Sequence, residues 1–380
     1  MKSEDVVFFF GAGASAPFGI PTMRQFVTDF EEFLNENAEK KERDLYSDIK
    51  QTLKDKIHRE VDLEAVFTVI DGISNYDNPE KLGMLALYFM AEQKKHFPTF
   101  EHVETSKKLK LKFQDFINKK CNIPNTFPKI AKVYRDFFNR FAIELGNYDL
   151  NGEIAYNSDW VIFTTNYDIC LEYYWRQVAN VGIDTNFMLD QRTGRSILRP
   201  NSILAEPRKM KLFKLHGSFN WLIDEKTREV TEVTEKGTSL IGTSYTGELM
   251  VYPIAEKELY LEPYVSMLVR LNRELERKPV WIVIGYSFND PVIQEIFIKN
   301  WSPRKHNLIL VHPEAGEVCT KKLSDIPATP IEKYFGLTDT QVEISGKKVD
   351  YRQVNHQIIH KLKENPKFSW NQDPVQVQVK

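Results

Sequence analysis

Val6 to Phe10, VVFFF, runs straight into Gly11-Ala12-Gly13-Ala14-Ser15-Ala16. Five consecutive β-branched and aromatic residues have the composition of a strand buried on both faces, and such strands belong to parallel sheets covered by helices. The small residues end that strand abruptly. After Pro21 the pattern turns helical, with Phe26, Phe30, Phe33 and Leu34 on one apolar stripe and Glu31, Glu32 and Asn35 opposite. Strand, glycine loop and helix in that order are the context in which GxGxx(G/A) acquires meaning. Backbone there can approach a pyrophosphate closely, amide N–H groups can meet the anion, and the helix N-terminus adds partial positive charge. A plain strand-to-helix turn accounts for the same hexapeptide without a ligand.

The rest of the chain extends this pattern. Residues 24 to about 60 read as helix, and Leu63, Val66, Phe67 and Ile70 continue at three- and four-residue spacing, as do the segments around 83–90 and 113–117. Residues 24–155 are therefore expected to form a helical insertion. Strand character returns at 160–163, 211–215, 280–284 and 307–311, and strands separated by helices predict an α/β fold with a mostly parallel, Rossmann-like sheet. Residues 225–252 shift to Thr, Glu, Gly and Ser, which suggests a hairpin or loop. The expected division is a core over 1–326 and a C-terminal extension over 327–380. The alternating Val375–Val379 tail fits an added edge strand or a frayed end equally well.

Composition narrows the function. The chain has 380 residues, 51 Lys plus Arg against 53 Asp plus Glu, and a net charge of −2, so no global basic field recruits nucleic acid or anionic lipid. Direct nucleic-acid binding through a local patch stays open. Cys121, Cys170 and Cys319 are too far apart in sequence for a CxxC knuckle, so no metal site is expected and a reducing, cytoplasmic compartment is the simplest reading. Glu4 and Asp5 and the short apolar run before Gly11 do not fit a signal peptide, and no segment is long and apolar enough to span a bilayer.

An acidic residue ending a second strand about 20 positions after the glycine loop, usual in dinucleotide dehydrogenases, is not found. The longer string GAGASAPFGIPTMR, residues 11–24, instead resembles the opening motif of the sirtuin family, a GAGxS loop followed by GIPxFR, with Met23 in place of phenylalanine. FTTNYDICLE, residues 163–172, resembles the sirtuin TQNID segment. KLHGS, residues 214–218, is similar to its LHG motif, and VIGYSFND, residues 283–290, resembles its GTS segment. LILVHPE, residues 308–314, carries His312 where sirtuins usually have an asparagine for the adenosine ribose. The strings occur in the family's order.

The resemblance implies NAD as substrate, with Asn166 and His216 as catalytic residues. It further implies NAD contacts at Gly11, Ala12, Gly13, Ser15, Ile20, Pro21, Met23, Arg24, Thr165, Asp168, Gly285, Ser287 and His312. Asn166 and Asp168 are equally readable as turn or cap residues, and His216 as a loop histidine. Both Asn166 and His216 follow expected strands, which puts them at the carboxyl edge where open α/β sheets bind ligands. Three scattered cysteines cannot build the four-cysteine zinc module of protein-deacylating sirtuins. The chain is therefore more similar to bacterial sirtuin-like proteins of antiphage defence, whose typical activity is NAD hydrolysis. The implied partners are further copies of the chain and a HerA-type ATPase. A non-catalytic NAD-binding scaffold and a zinc-free deacylase are the alternatives.

Overall fold

The computed structural model describes residues 3–57, 63–76, 84–93, 99–121, 127–144, 160–179, 182–199, 203, 210–224, 229–233, 245–250, 262–331, 342–344, 347–349 and 354–365. The chain divides into two compact units, one of Met1–Ile20, Ile123–Gly247 and Tyr260–Lys380, the other of Pro21–Asn122 with Glu248–Leu259.

The first unit is built on strands β1 (Val6–Phe10), β2 (Val161–Thr164), β5 (Lys211–Lys214), β9 (Val280–Ile284), β10 (Asn307–Val311) and β11 (Thr329–Ile331). They form one sheet in the order β11-β10-β9-β1-β2-β5, parallel at every pairing. The fold is thus the α/β, Rossmann-like parallel sheet expected from the strand and helix pattern. A second sheet, in the order β3-β4-β7-β6-β8, comprises β3 (Phe187–Asp190), β4 (Arg195–Leu198), β6 (Gly217–Asp224), β7 (Val230–Glu232) and β8 (Tyr245–Met250).

β1 shows why VVFFF had to be central. Side chains alternate across a strand, and all five are buried. Phe8 meets Phe137, Phe138, Phe141 and Trp160 at centroid distances of 5.4–5.9 Å. Phe9 points the other way, to Tyr286 at 4.8 Å and Phe297 at 5.5 Å. Each such fully buried side chain is worth about 1.5–3 kcal/mol of transfer free energy, and a charge at any of the five would face a helix-covered layer.

The second unit holds helices α1 (Met23–Asn37), α2 (Lys40–Ile57), α3 (Leu63–Ser74), α4 (Met84–Glu92) and α5 (Phe100–Cys121). α1 starts at a reciprocal capping box between Thr22 and Gln25. Its Phe30 is fully buried among Tyr46, Phe67, Phe113 and Phe116. In the first unit lie α6 (Phe127–Glu144), α7 (Cys170–Tyr173), α8 (Tyr264–Arg277), α9 (Pro291–Asn300), α10 (Ala315–Lys322) and α11 (Val354–Glu364).

Two expected boundaries differ from the structure. The helical insertion closes at Asn122 rather than about 155, because the apolar stripe of α6, with Phe137, Phe138 and Phe141, covers the main sheet. Nor is 327–380 an appendage. β11 is the sheet's edge strand, and Ile358, Ile359 and Leu362 of α11 belong to the same core as Phe8 and Phe138. Of the further aromatics between residues 24 and 121, Phe113 and Phe116 are buried, Phe100 is 82% exposed and Phe97 lies outside the described residues, as does the 375–379 tail. Within 225–252 the described residues are the strands β7 and β8 and their immediate flanks.

Candidate active site

The strand register assembles the site. Phe10 pairs with Thr164 on one side and Ile284 on the other, Thr164 pairs with Lys214, and Ile284 with Val311. One row therefore crosses five strands, and the residues immediately after it are Gly11, Thr165, Leu215, Gly285 and His312. All lie at the carboxyl edge of a parallel sheet, where chain leaves the strands and ligands of such folds bind. Asn166 and His216 each sit two residues beyond the paired ends of adjacent strands, which run about 4.8 Å apart.

The glycine loop is held against the segment after β9. Gly11 N–H donates to Ile284 O at 2.8 Å and Gly13 N–H to Gly285 O at 2.9 Å. A Cβ on Gly285, whose φ is +66°, would lie 2.3 Å from Ala14 N and 2.5 Å from Gly13 C. Ala14 and Ser15 N–H donate within the loop to Gly11 O and Ala12 O. Four amides expected to face an anion are therefore engaged inside the fold. Short 3-10 turns at Ala12–Ala14 and Ala16–Phe18 follow, so the first long helix begins only at Met23.

Asn166 locks this loop to β2. Its Nδ2 donates to Gly11 O at 3.0 Å and to Ser15 Oγ at 2.9 Å, and its backbone N–H donates to Thr164 Oγ1 at 3.0 Å. Thr164 Oγ1 in turn donates to Phe10 O at 2.9 Å, and Thr165 N–H donates to the same carbonyl at 3.2 Å. Asn166 Oδ1 is buried with no hydrogen-bond partner among the described residues.

His216 occupies the turn between β5 and β6, and its Nε2 lies 3.2 Å from Asp290 Oδ2. Asp290 is the N-cap of α9, its Oδ1 accepting from Val292 N–H at 2.9 Å and Ile293 N–H at 3.3 Å. Both side chains are largely buried, His216 at 13% and Asp290 at 5% exposure. The sequence reading missed Asp290. Aspartate before Pro291 signals a helix start, but its second oxygen serves a residue 74 positions away.

Below this edge, Lys214 Nζ pairs with Glu172 Oε1 at 2.9 Å and donates to Ser218 Oγ at 2.7 Å, with both ion-pair partners nearly fully buried. Ser218 Oγ donates to Tyr167 O. Arg176 pairs with Glu232 at 3.0 Å, and burial still raises the Glu232 pKa, against the lowering effect of Arg176.

The other expected contacts divide. Ala12 and Ser287 are half-buried on the two loops at this edge. Asp168 is buried and its Oδ1 accepts from Cys170 N–H at 3.0 Å, an Asx-type turn just ahead of α7, whose N-cap is Ile169. His312 Nδ1 accepts from Glu314 N–H at 3.1 Å, and burial lowers its pKa more than nearby Glu314 raises it. Ile20 is 5% exposed within the hydrophobic core. Pro21, Met23 and Arg24 belong to the other unit, and the side chains of Met23 and Arg24 lie outside the described residues. Among the described residues no three His, Cys, Asp or Glu side chains are grouped to hold a metal, Cys121, Cys170 and Cys319 form no disulfide, and no helix is long and apolar enough to cross a membrane.

Residues 161–331 match the SIR2-like domain family, a span that holds Asn166, His216, Gly285, Asp290 and His312 and omits the glycine loop. None of the curated proteins compared matches the chain. Among solved structures it is similar to a Sir2 homologue in complex with NAD, at TM-score 0.41 and 16% identity over 94% of this chain and 89% of that one. It is also similar to a structure described as bearing on the mechanism and regulation of Sir2 enzymes, at TM-score 0.39 and 16% identity over 95% and 93%.

Proposed function

We propose that this chain hydrolyses NAD to ADP-ribose and nicotinamide. The observation that carries the reading is the pairing, two residues beyond neighbouring strands, of a buried unpartnered acceptor, Asn166 Oδ1, with a carboxylate-held imidazole, His216. An unmet buried acceptor costs about 1–3 kcal/mol, and a ligand that brings a hydroxyl to it recovers that cost. A ribose diol or a water fits this description.

Breaking the bond between ribose and nicotinamide sends its electron pair to nicotinamide and leaves an oxocarbenium-like ribose for water to attack. Asn166 is suited to orient a ribose hydroxyl or that water, because both Nδ2 hydrogens are fixed by Gly11 O and Ser15 Oγ and its Oδ1 therefore cannot swing away. His216 accepts a proton as water adds, then releases it to solvent, a general-base contribution of about 100- to 10,000-fold.

The setting we propose is the bacterial cytoplasm, where NAD depletion by a self-associating enzyme controlled by a HerA-type ATPase would abort phage infection. Nicotinamide release by purified wild type, Asn166→Ala and His216→Ala, with and without acetylated peptide and the candidate ATPase, tests the proposal. Peptide-independent release that both folded variants lose by 100-fold or more is the expected result. Peptide-dependent release would instead identify a deacylase, and NAD binding without release a scaffold. Sedimentation of the wild type as an active monomer at micromolar concentration would refute control by self-association.

A further inference from the structure

We infer that Asp290 is a positioning residue that selects the tautomer of His216, protonated at Nε2, so that Nδ1 carries the basic lone pair. The inference rests on the proposed hydrolysis for its catalytic meaning, while its structural content stands on geometry alone. A carboxylate can only accept, so at 3.2 Å from Asp290 Oδ2 a neutral His216 must donate Nε2–H. The carboxylate is itself immobilised. Oδ1 accepts two backbone N–H groups at the start of α9, which fixes the plane of the group and directs Oδ2 at the ring.

The chain leading to Asp290 is shaped for this aim. Gly285 and Phe288 both have left-handed backbones, with φ of +66° and +56°. Phe288 is a bulky residue in a conformation that such residues avoid, and strain of this kind is retained only where surrounding packing imposes it. The packing is present. The ring is fully buried against Tyr286 at 4.9 Å and Phe297 of α9 at 5.1 Å. The segment between β9 and α9 thus brings Asp290 to the turn after β5, across the sheet from its own strand.

When water adds to the ribose, its O–H bond breaks and the proton joins His216 Nδ1, while Nε2–H remains on Asp290, which stabilises the imidazolium before the proton passes to solvent. Asp290→Asn separates this role from the cap. The asparagine carbonyl can still accept at the α9 N-terminus, which turns its NH2 toward Nε2, and an NH2 donates. Nε2 must then accept, and the proton moves to Nδ1.

The test is 15N–1H correlation spectroscopy of histidine-labelled protein, with the His216 signals assigned by their loss in His216→Ala, beside steady-state kinetics on NAD. Wild type is expected to show the Nε2–H tautomer and Asp290→Asn the Nδ1–H tautomer, with kcat falling about 1,000-fold or more and KM nearly unchanged. Wild type in the Nδ1–H form overturns the inference without any variant. An unchanged tautomer in folded Asp290→Asn also overturns it, as does a flipped tautomer with kcat within fivefold of wild type. If wild type proves inactive on NAD, the hydrolase reading fails, and the tautomer measurement still decides what Asp290 does.

Discussion

Gly285→Ala tests whether contact between two loops, rather than ligand access alone, dictates the glycines at this sheet edge. The added Cβ would meet Ala14 N at 2.3 Å and Gly13 C at 2.5 Å, both backbone atoms that cannot rotate away as a side-chain tip would. The left-handed φ of +66° costs about 1–2 kcal/mol with any Cβ. The overlap adds about 1–3 kcal/mol of the kind measured for overpacked cores, for a total of about 2–5 kcal/mol. Gly19 and Gly194 provide the internal control, since both have positive φ, +87° and +68°, and open space around the added Cβ. Their alanine variants should lose only the backbone share. Urea unfolding followed by circular dichroism and by tryptophan fluorescence measures the difference, with fluorescence reporting Trp160 and Trp281 in the core of the sheet unit. Because Gly13 and Asn166 are joined through the same loop, NAD turnover should fall in Gly285→Ala and not in Gly194→Ala. Equal destabilisation in Gly285→Ala and Gly19→Ala would refute the steric argument.

Lys214→Met leaves Glu172 buried without its cation, and urea unfolding should show a loss of about 3–5 kcal/mol, whereas the double change Lys214→Met with Glu172→Met should recover most of it. His312 supplies a pH dependence. Its folded pKa lies below its ordinary value of 6.5, so the unfolded chain binds the proton more readily. Its contribution is complete above about pH 6.5 and declines as pH falls through that value toward the lowered folded pKa. A wild-type minus His312→Asn difference in unfolding free energy that grows on acidification would contradict this sign.

Legibility in the sequence tracked how local the cause was. The β1 strand and its glycine loop were readable because a five-residue branched and aromatic run cut off by glycine is too short for a helix and fits a doubly covered strand. Asn166 and His216 were readable as edge residues because each directly follows such a strand. The end of the insertion was not. A helix with Phe137, Phe138 and Phe141 on one face reads the same whether that face meets a sheet or other helices. The second sheet was equally hidden, since its strand Phe187–Asp190 leaves Met188 and Leu189 exposed and lacks a clean alternation of buried and polar positions. Asp168 makes a local Asx-type turn through Oδ1, a role legible from its place just after a strand.

The loop amides change what the site can ask of a ligand. With Gly11, Gly13, Ala14 and Ser15 N–H all engaged within the protein, the acceptors at the described edge include Asn166 Oδ1, held by two fixed donations from its own amide, and an imidazole that Asp290 orients. Acceptors select for hydroxyls and water, the groups that distinguish a ribose from a bare phosphate. In the proposed hydrolysis these acceptors would meet the ribose, the sugar whose bond to nicotinamide is broken. A phosphate-only ligand such as inorganic pyrophosphate would meet unfavourable lone pairs at Asn166 Oδ1.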